Sequence, residues 1–297
     1  MEYGAHLPIL DLGVPPSLDR LTSFARTAVG AGYRLLSAND HLVFRRPWLD
    51  GLAALAAVVE ASGDLTLATT IALPVVRGPA PLAKAVAALD VLSGGRVLVG
   101  VGPGSSVADY AAAGVPFEER WRRFDEAVPA LRALLHGDPR GFEGAFYSTR
   151  GVVLEPRPVQ RPGPPLWVAS WGSARGLRRA RRMGDGWLAS AYNTTPARFA
   201  EAAAGLPGMP NGIATAWMLV TDDAREAGRA IDDLLAPVLG RDPEALRALS
   251  LPIGPPEVCA ERVRAFADAG AQRMFLWPLR DEARQLELFM ERVAPLV

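Results

Sequence analysis

The residues best suited to chemistry gather in a few short stretches. In "SANDHLVF", Asn39, Asp40 and His41 stand together at the end of an apolar run. A carboxylate beside an imidazole can orient a substrate or move a proton near neutral pH, so His41 is the candidate acid/base and Asp40 its orienting partner. The competing reading is a turn in which Asp40 caps the backbone and His41 packs. In "WVASWGSARGLRRARRMG", a strand passes through a small-residue turn into a helix whose first turn holds Ser173, Ala174 and Arg175. Free N–H groups and a cation at a helix start suit a phosphate or carboxylate. An ordinary loop capped by Ser173 is the alternative. The third stretch, "RVLVGVGPGSS", has glycines at 100, 102 and 104 straight after a strand. It lacks the glycine-lysine spacing of a P-loop, and no helix follows at the dinucleotide-binding spacing, so both readings fail. Two remain: close backbone approach to a flat ligand, or relief of crowding within the fold.

The elements that would position these residues alternate along the chain. "YGAHLPIL" reads as a strand, "SLDRLTSFARTAVGAG" as a helix opening at Ser17 and closing at Gly32, and "YRLLSAND" as a strand. The rhythm continues through "LTLATTIAL", "RVLVGVG", "PLWVAS", "DGWLAS", "NGIATAWMLV" and "RMFLWP", each followed by a helical stretch. Continuous apolar strands joined by helices predict a parallel sheet, and eight such units in one chain of 297 residues fit a closed (β/α)8 TIM barrel. One domain is expected, 1–297, with an insertion after strand four at about 103–164 that carries one clear helix, "FEERWRRFDEAVPALRALLHG". In such a barrel the loops after the strands build the active-site mouth, so the insertion is a candidate lid or substrate wall.

Composition excludes several function classes. Acidic and basic residues balance at 32 each, so no global field draws the chain to nucleic acid or an anionic membrane. The single cysteine, Cys259, rules out a disulfide framework and a thiolate cluster, and only three histidines argue against a His-rich metal centre. No metal is expected. No signal peptide or run of ~20 apolar residues is visible, and the expectation is a cytoplasmic protein.

Taken in order, "NDH", "LATTIALPVVRGPAPLAKAVAALDVLSGGRVLVGVGPGS", "FEERWRRFDEAVPALRALL" and "PPLWVASWGSARGLRRARRMGDGWLAS" make the chain resemble the bacterial luciferase-like flavin-dependent oxidoreductases. The resemblance implies a barrel that binds FMN or the deazaflavin F420 at its mouth. The ring would lie near Asp40, His41, Thr70 and Ile71, with a non-prolyl cis peptide at Thr70-Ile71. Gly102, Pro103, Gly104 and Ser105 would border it. Ser170 joins the cofactor set, and the phosphate would sit by Gly172, Ser173, Ala174 and Arg175. In the sugar-phosphate dehydrogenase branch an acidic residue stands where this chain has Ser105, so that activity is not expected here. A cysteine near the flavin marks the luciferase branch, and Cys259 is not placed to match it.

The expected activity is hydride transfer between reduced F420 or flavin and a small organic molecule, aromatic or polycyclic, held by His6, Phe44, Trp48, Trp171 and Trp277. A composition of GC-rich type tips the choice toward F420. The alternatives are an FMN-dependent monooxygenase supplied by a separate flavin reductase, and a non-redox barrel or cofactor-binding protein. Family members often dimerise through barrel helices, which adds a homodimer to the expectations.

Overall fold

The computed structural model describes all residues, 1–297. Nine strands form: β1 (Glu2–His6), β2 (Leu35–Ala38), β3 (Thr66–Ala72), β4 (Val97–Val101), β5 (Leu166–Ala169), β6 (Gly186–Ser190), β7 (Asn211–Val220), β8 (Ile253–Gly254) and β9 (Arg273–Pro278). Every ladder between them is parallel. β1 to β7 pair in sequence, β9 pairs with β7 and β1, and the wall closes on eight strands. These are the eight segments expected from the sequence. The two-residue β8 lies outside that ring, on the far end of β7 at Leu219 and Val220.

The helices form for the reasons their sequences suggest. Ser17 caps Leu18–Gly30 by accepting from Arg20 N, and Leu21, Phe24, Ala25 and Ala28 recur at helical spacing on its buried side. Helix Pro79–Leu92 opens on prolines after Gly78 and buries Leu82, Val86 and Leu89.

The region between β4 and β5 differs from the sequence reading in two ways. Helix Arg120–His136 packs against Pro79–Leu92 on one side and Ala174–Met183 on the other, where Arg179 makes a paired contact with Asp125. It therefore fills the fourth helix position of the outer layer instead of covering the mouth. The loop after it is tied down along that layer, because Glu126 accepts from Ala145 N and Phe146 N and buried Asp90 accepts from Gln160. The candidate lid thus narrows to the first part of the segment. There a further short helix, Val107–Ala112, is capped by Ser106, where the glycine-rich pattern predicts only loop.

Inside the barrel, Leu35, Ala68, Leu98, Trp167, Leu188, Ala214 and Phe275 form one apolar layer. Gly4 is required there: a Cβ would stand 2.5 Å from the Phe275 ring. Side chains alternate along a strand, so the next residues inward and toward the C-terminal ends are His6, Ser37, Thr70, Gly100, Ala169 and Ser190. Across the register shift in β7, Trp217 pairs with Trp277 to complete that layer. The layer beneath the mouth is thus polar on β1 to β3, small on β4 and β5, and aromatic on β7 and β9.

Candidate active site

His41 follows β2 and is held by a residue that the sequence pattern does not single out. Asp109, on the short helix after β4, places Oδ2 at 2.7 Å from His41 Nδ1. Its Oδ1 accepts from Leu42 N at 3.0 Å and Val43 N at 2.9 Å. The Asp109 side chain is only 1% exposed. Burial pushes its carboxyl up, but the hydrogen bonds from His41 and Val43 N, the His41 charge and Leu42 N outweigh this and hold it below the usual carboxylate value. A carboxylate can only accept, so Nδ1 carries a proton and Nε2 is the nitrogen left for chemistry. The signal in the sequence is the pattern Ser106-x-x-Asp109, which opens a helix; Ser106 Oγ accepts from Asp109 N.

Asp40 does not orient His41, contrary to the sequence reading. Both its oxygens are taken by Arg77, at 2.6 Å from Nε and 2.7 Å from Nη2, and Leu73 N adds a third contact. Arg77 also pairs with Asp50, the cap of helix Gly51–Ala57. The hydrogen bonds to Asp40 raise the Arg77 pKa despite burial, so the guanidinium keeps its charge. Asp40 therefore fastens the loop after β2 to the end of β3, where the Thr70-Ile71 peptide is cis. Asp40 thus sets the loop's shape through Arg77 and Leu73 N.

The glycine loop serves its neighbours in the fold. A Cβ on Gly102 would stand 2.2 Å from Ile71 Cδ1, and one on Gly100 would stand 2.3 Å from Thr69 O. Both glycines thus let β4 approach β3. Gly104 has φ +75°, which favours glycine. Tyr110 anchors the loop through the Pro103 carbonyl, and Ser105 is exposed at the mouth.

Ser173 caps Ala174–Met183 by accepting from Gly176 N. Ala174 N and Arg175 N, in the first turn, have no partner within the helix. Gly176 is forced, because a Cβ would overlap Ser170 Oγ; Ser170 Oγ accepts from Gly172 N. Arg179 and Arg182 are paired with Asp125, whereas Arg175 has no carboxylate partner. Arg198, not anticipated from sequence, brings its Nε within 3.6 Å of the Cβ position of Gly172 and is likewise free of a carboxylate.

An aromatic wall completes the mouth. His6 stacks on Trp277 with ring centres 3.6 Å apart, and Trp217 stacks on Trp277 at 4.0 Å. Trp48 meets Trp277, Phe44 and His41 edge-on, and His41 and Phe44 are 5.0 Å apart. The structure therefore brings His6, Phe44, Trp48 and Trp277 together with His41, and adds Trp217. Trp171 is not part of this group: it is 52% exposed, beyond β5, because the Trp171-Gly172 turn carries it out of the barrel. The Asn39 side chain hydrogen-bonds the His6 ring, and four further buried side-chain atoms of this region lack a partner: Ser37 Oγ, Trp48 Nε1, Thr70 Oγ1 and Trp217 Nε1. Such groups are costly unless something pairs with them, so their gathering points to a bound molecule.

No helix is long and apolar enough to cross a membrane. The chain is 32% identical over 230 residues to an F420-dependent hydroxymycolic acid dehydrogenase of Mycobacterium tuberculosis, a match spanning 72% of this chain and 62% of that relative's length. It is 28% identical to an F420-dependent glucose-6-phosphate dehydrogenase of Rhodococcus erythropolis, over 93% of this chain and 92% of that one. The fold is similar to that of the monooxygenase RslO1 from Streptomyces bottropensis, with a TM-score of 0.84 and 24% identity over 99% of both chains. The family model described as luciferase-like monooxygenase matches residues 4–239, and the chain belongs to that family.

Proposed function

We propose that this protein is an F420-dependent oxidoreductase that exchanges a hydride with a small organic molecule, with His41 as its acid/base. The observation that carries this reading is that one barrel mouth holds both the Asp109-held imidazole and an anion-ready helix start. The F420 assignment is supported by the names of its curated relatives. The residues fit such a group. Ala174 N, Arg175 and Arg198 would hold its phosphate, and the small Gly100 and Ala169 leave room on the β4–β5 side of the mouth. Unpartnered Thr70 Oγ1 and the loop Gly102–Ser105 border that space. When bound, the deazaflavin supplies the hydride chemistry at the substrate carbon.

The chain's own residues do the rest. His41 Nε2 gives a proton to, or takes one from, the substrate oxygen, while Asp109 keeps Nδ1 protonated and the ring in one orientation. Asp40 and Arg77 hold the loop that carries His41. The aromatic wall orients the substrate and excludes water. Ser105 cannot supply an acid, so a sugar phosphate is not the proposed substrate. A homodimer through the outer helices goes with this reading.

Thermal unfolding with added F420 and with added FMN tests the proposal. A ligand at one hundred times its dissociation constant adds about 2.7 kcal/mol of stability. Stabilisation by F420 is the expected result. Stabilisation by FMN alone would move the assignment to a flavin monooxygenase fed by a separate reductase. No shift with either would refute a redox role.

A further inference from the structure

The excursion between β7 and β8 is tied to two opposite rims of the mouth. It leaves the C-terminal end of β7 and winds through helix Ala224–Arg229, the π-helix Ala230–Leu235 and helix Ala236–Leu239. Its inner side, with Ile231, Leu234, Leu235 and Val238, is buried, while Asp232, Asp233, Pro237 and Gly240 face solvent. The Pro237 carbonyl accepts from Arg45 Nη1 at 3.0 Å, and Arg45 belongs to the loop that carries His41. Gly240 has φ +62°, and a Cβ there would stand 3.2 Å from Arg45 Nη2, so this turn requires glycine. One residue on, Arg241 gives Nη1 to the Tyr192 carbonyl at 2.6 Å and Nη2 to Asn193 Oδ1, both on the loop after β6. In the closed ring β2 and β6 face each other, four strands apart in either direction. A line between them divides the mouth into a β3–β4–β5 half and a β7–β9–β1 half. The excursion starts at β7, so it straps over the second half.

Burial follows the same division. On the strapped half His6, Trp217 and Trp277 are at most 1% exposed, yet theirs is the wall assigned to the substrate. On the other half Ile71 and Ala169, at the ends of β3 and β5, are only half-buried. A substrate therefore reaches the wall only when a cover moves. The loop after β2 is held by the buried carboxylates of Asp109 and Asp40. The strap is held by exposed hydrogen bonds from two arginines to uncharged oxygens, which are weaker than bonds between two charged groups. We infer that residues 230–241 are the gate of the substrate wall, that Arg45 and Arg241 are its two latches, and that the cofactor enters through the β3–β4–β5 half without passing it. What enters each half rests on the proposed function; the strap and its latches do not.

Hydrogen exchange on the native protein tests the gate first. Amides of 230–241 should exchange at least about a hundredfold faster than those of β1 and β9. Arg45→Met and Arg241→Met, which keep an apolar stem, should each speed the strap a further three- to tenfold, roughly the worth of one hydrogen bond, and leave β1 and β9 unchanged. Equal protection of the strap and the wall strands in the native protein overturns the inference, and that comparison needs no variant to fold. Access to the wall is read by acrylamide quenching of tryptophan in a Trp121→Phe/Trp171→Phe background, which removes the exposed indoles. Quenching should rise in the latch variants. It should fall when Arg45→Cys and Pro237→Cys are bridged by a short bismaleimide, a reagent that buried Cys259 does not meet. The bridged protein should bind F420 within about twofold of the unbridged one. Quenching that the bridge does not change, or F420 binding that the bridge abolishes, overturns the inference. F420 binding with an ungated wall leaves the proposed function standing and removes the gate. If neither F420 nor FMN binds the native protein, the proposed function falls, and the quenching comparison still decides the gate.

Discussion

Replacing Asp109 by Asn keeps the shape of the side chain and removes its charge, which isolates what the carboxylate does for His41. In the native protein Asp109 accepts from His41 Nδ1 at 2.7 Å and from two backbone N–H groups. Asn can still offer its Oδ1 to Leu42 N and Val43 N, but its amide donor then faces Nδ1. The imidazole must answer by moving its proton to Nε2, so that nitrogen changes from acceptor to donor. A hydrogen bond to a charged group contributes about 1.5–3 kcal/mol, and unfolding in urea should show a loss at the lower end of that range, because His41 is 23% exposed. The Asp109 pKa lies below its unfolded value, so the stabilisation is present above the ordinary Asp range and is lost as pH falls through the folded pKa. The variant should therefore lose this acid-side dependence. With only three histidines in the chain, nitrogen NMR of the imidazoles resolves each one and reads the tautomer directly. If acid/base catalysis runs through Nε2, turnover should fall on the order of 10²–10⁴-fold. An unchanged His41 tautomer, together with stability within about 0.5 kcal/mol of native, would refute the orienting role of Asp109.

Three further outcomes are expected. Arg77→Ala leaves the Asp40 carboxylate, only 5% exposed, without its partner; a loss of about 3–5 kcal/mol should appear in the urea midpoint, and a change below 1 kcal/mol would show that the pair does not hold the loop. Arg175→Ala and Arg198→Ala should each weaken F420 by roughly three- to tenfold at low salt while leaving its phosphate-free deazaflavin core unchanged, so equal losses for both ligands would remove the phosphate site from this helix start. His6, whose pKa falls from 6.5 to about 3 on folding, takes up a proton in the unfolded chain first. Stability should therefore decline by up to about 1.4 kcal/mol per pH unit as pH drops below 6.5, and comparing native protein with His6→Phe in acid unfolding should remove that component.

Much of the fold is legible in the chain because it is written in local periodicity. Eight apolar runs separated by amphipathic helices identify the wall strands, and Ser17 and Ser173 mark helix starts where the structure has them. The NDH triplet stands at a strand end in the sequence pattern, and the family resemblance puts a cis peptide at Thr70-Ile71, where the structure has it. Side-chain partnerships are not legible in this way. The acid beside His41 in sequence is Asp40, yet in space it is Asp109, 68 positions away, while Asp40 belongs to Arg77, 37 positions away. The wall joins His6 from the first strand to Trp277 from the last, and it leaves out Trp171, whose sequence neighbourhood looks equally suitable. Helix Arg120–His136 shows the same limit, since its sequence specifies a helix but only its packing between two neighbours makes it part of the outer ring. The amino-acid sequence by itself thus determined the elements and their order, because hydrophobic spacing and capping act over a few residues. Barrel closure and strand register decided which side chains meet, because parallel strands paired at one register bring residues from distant parts of the chain into a single layer.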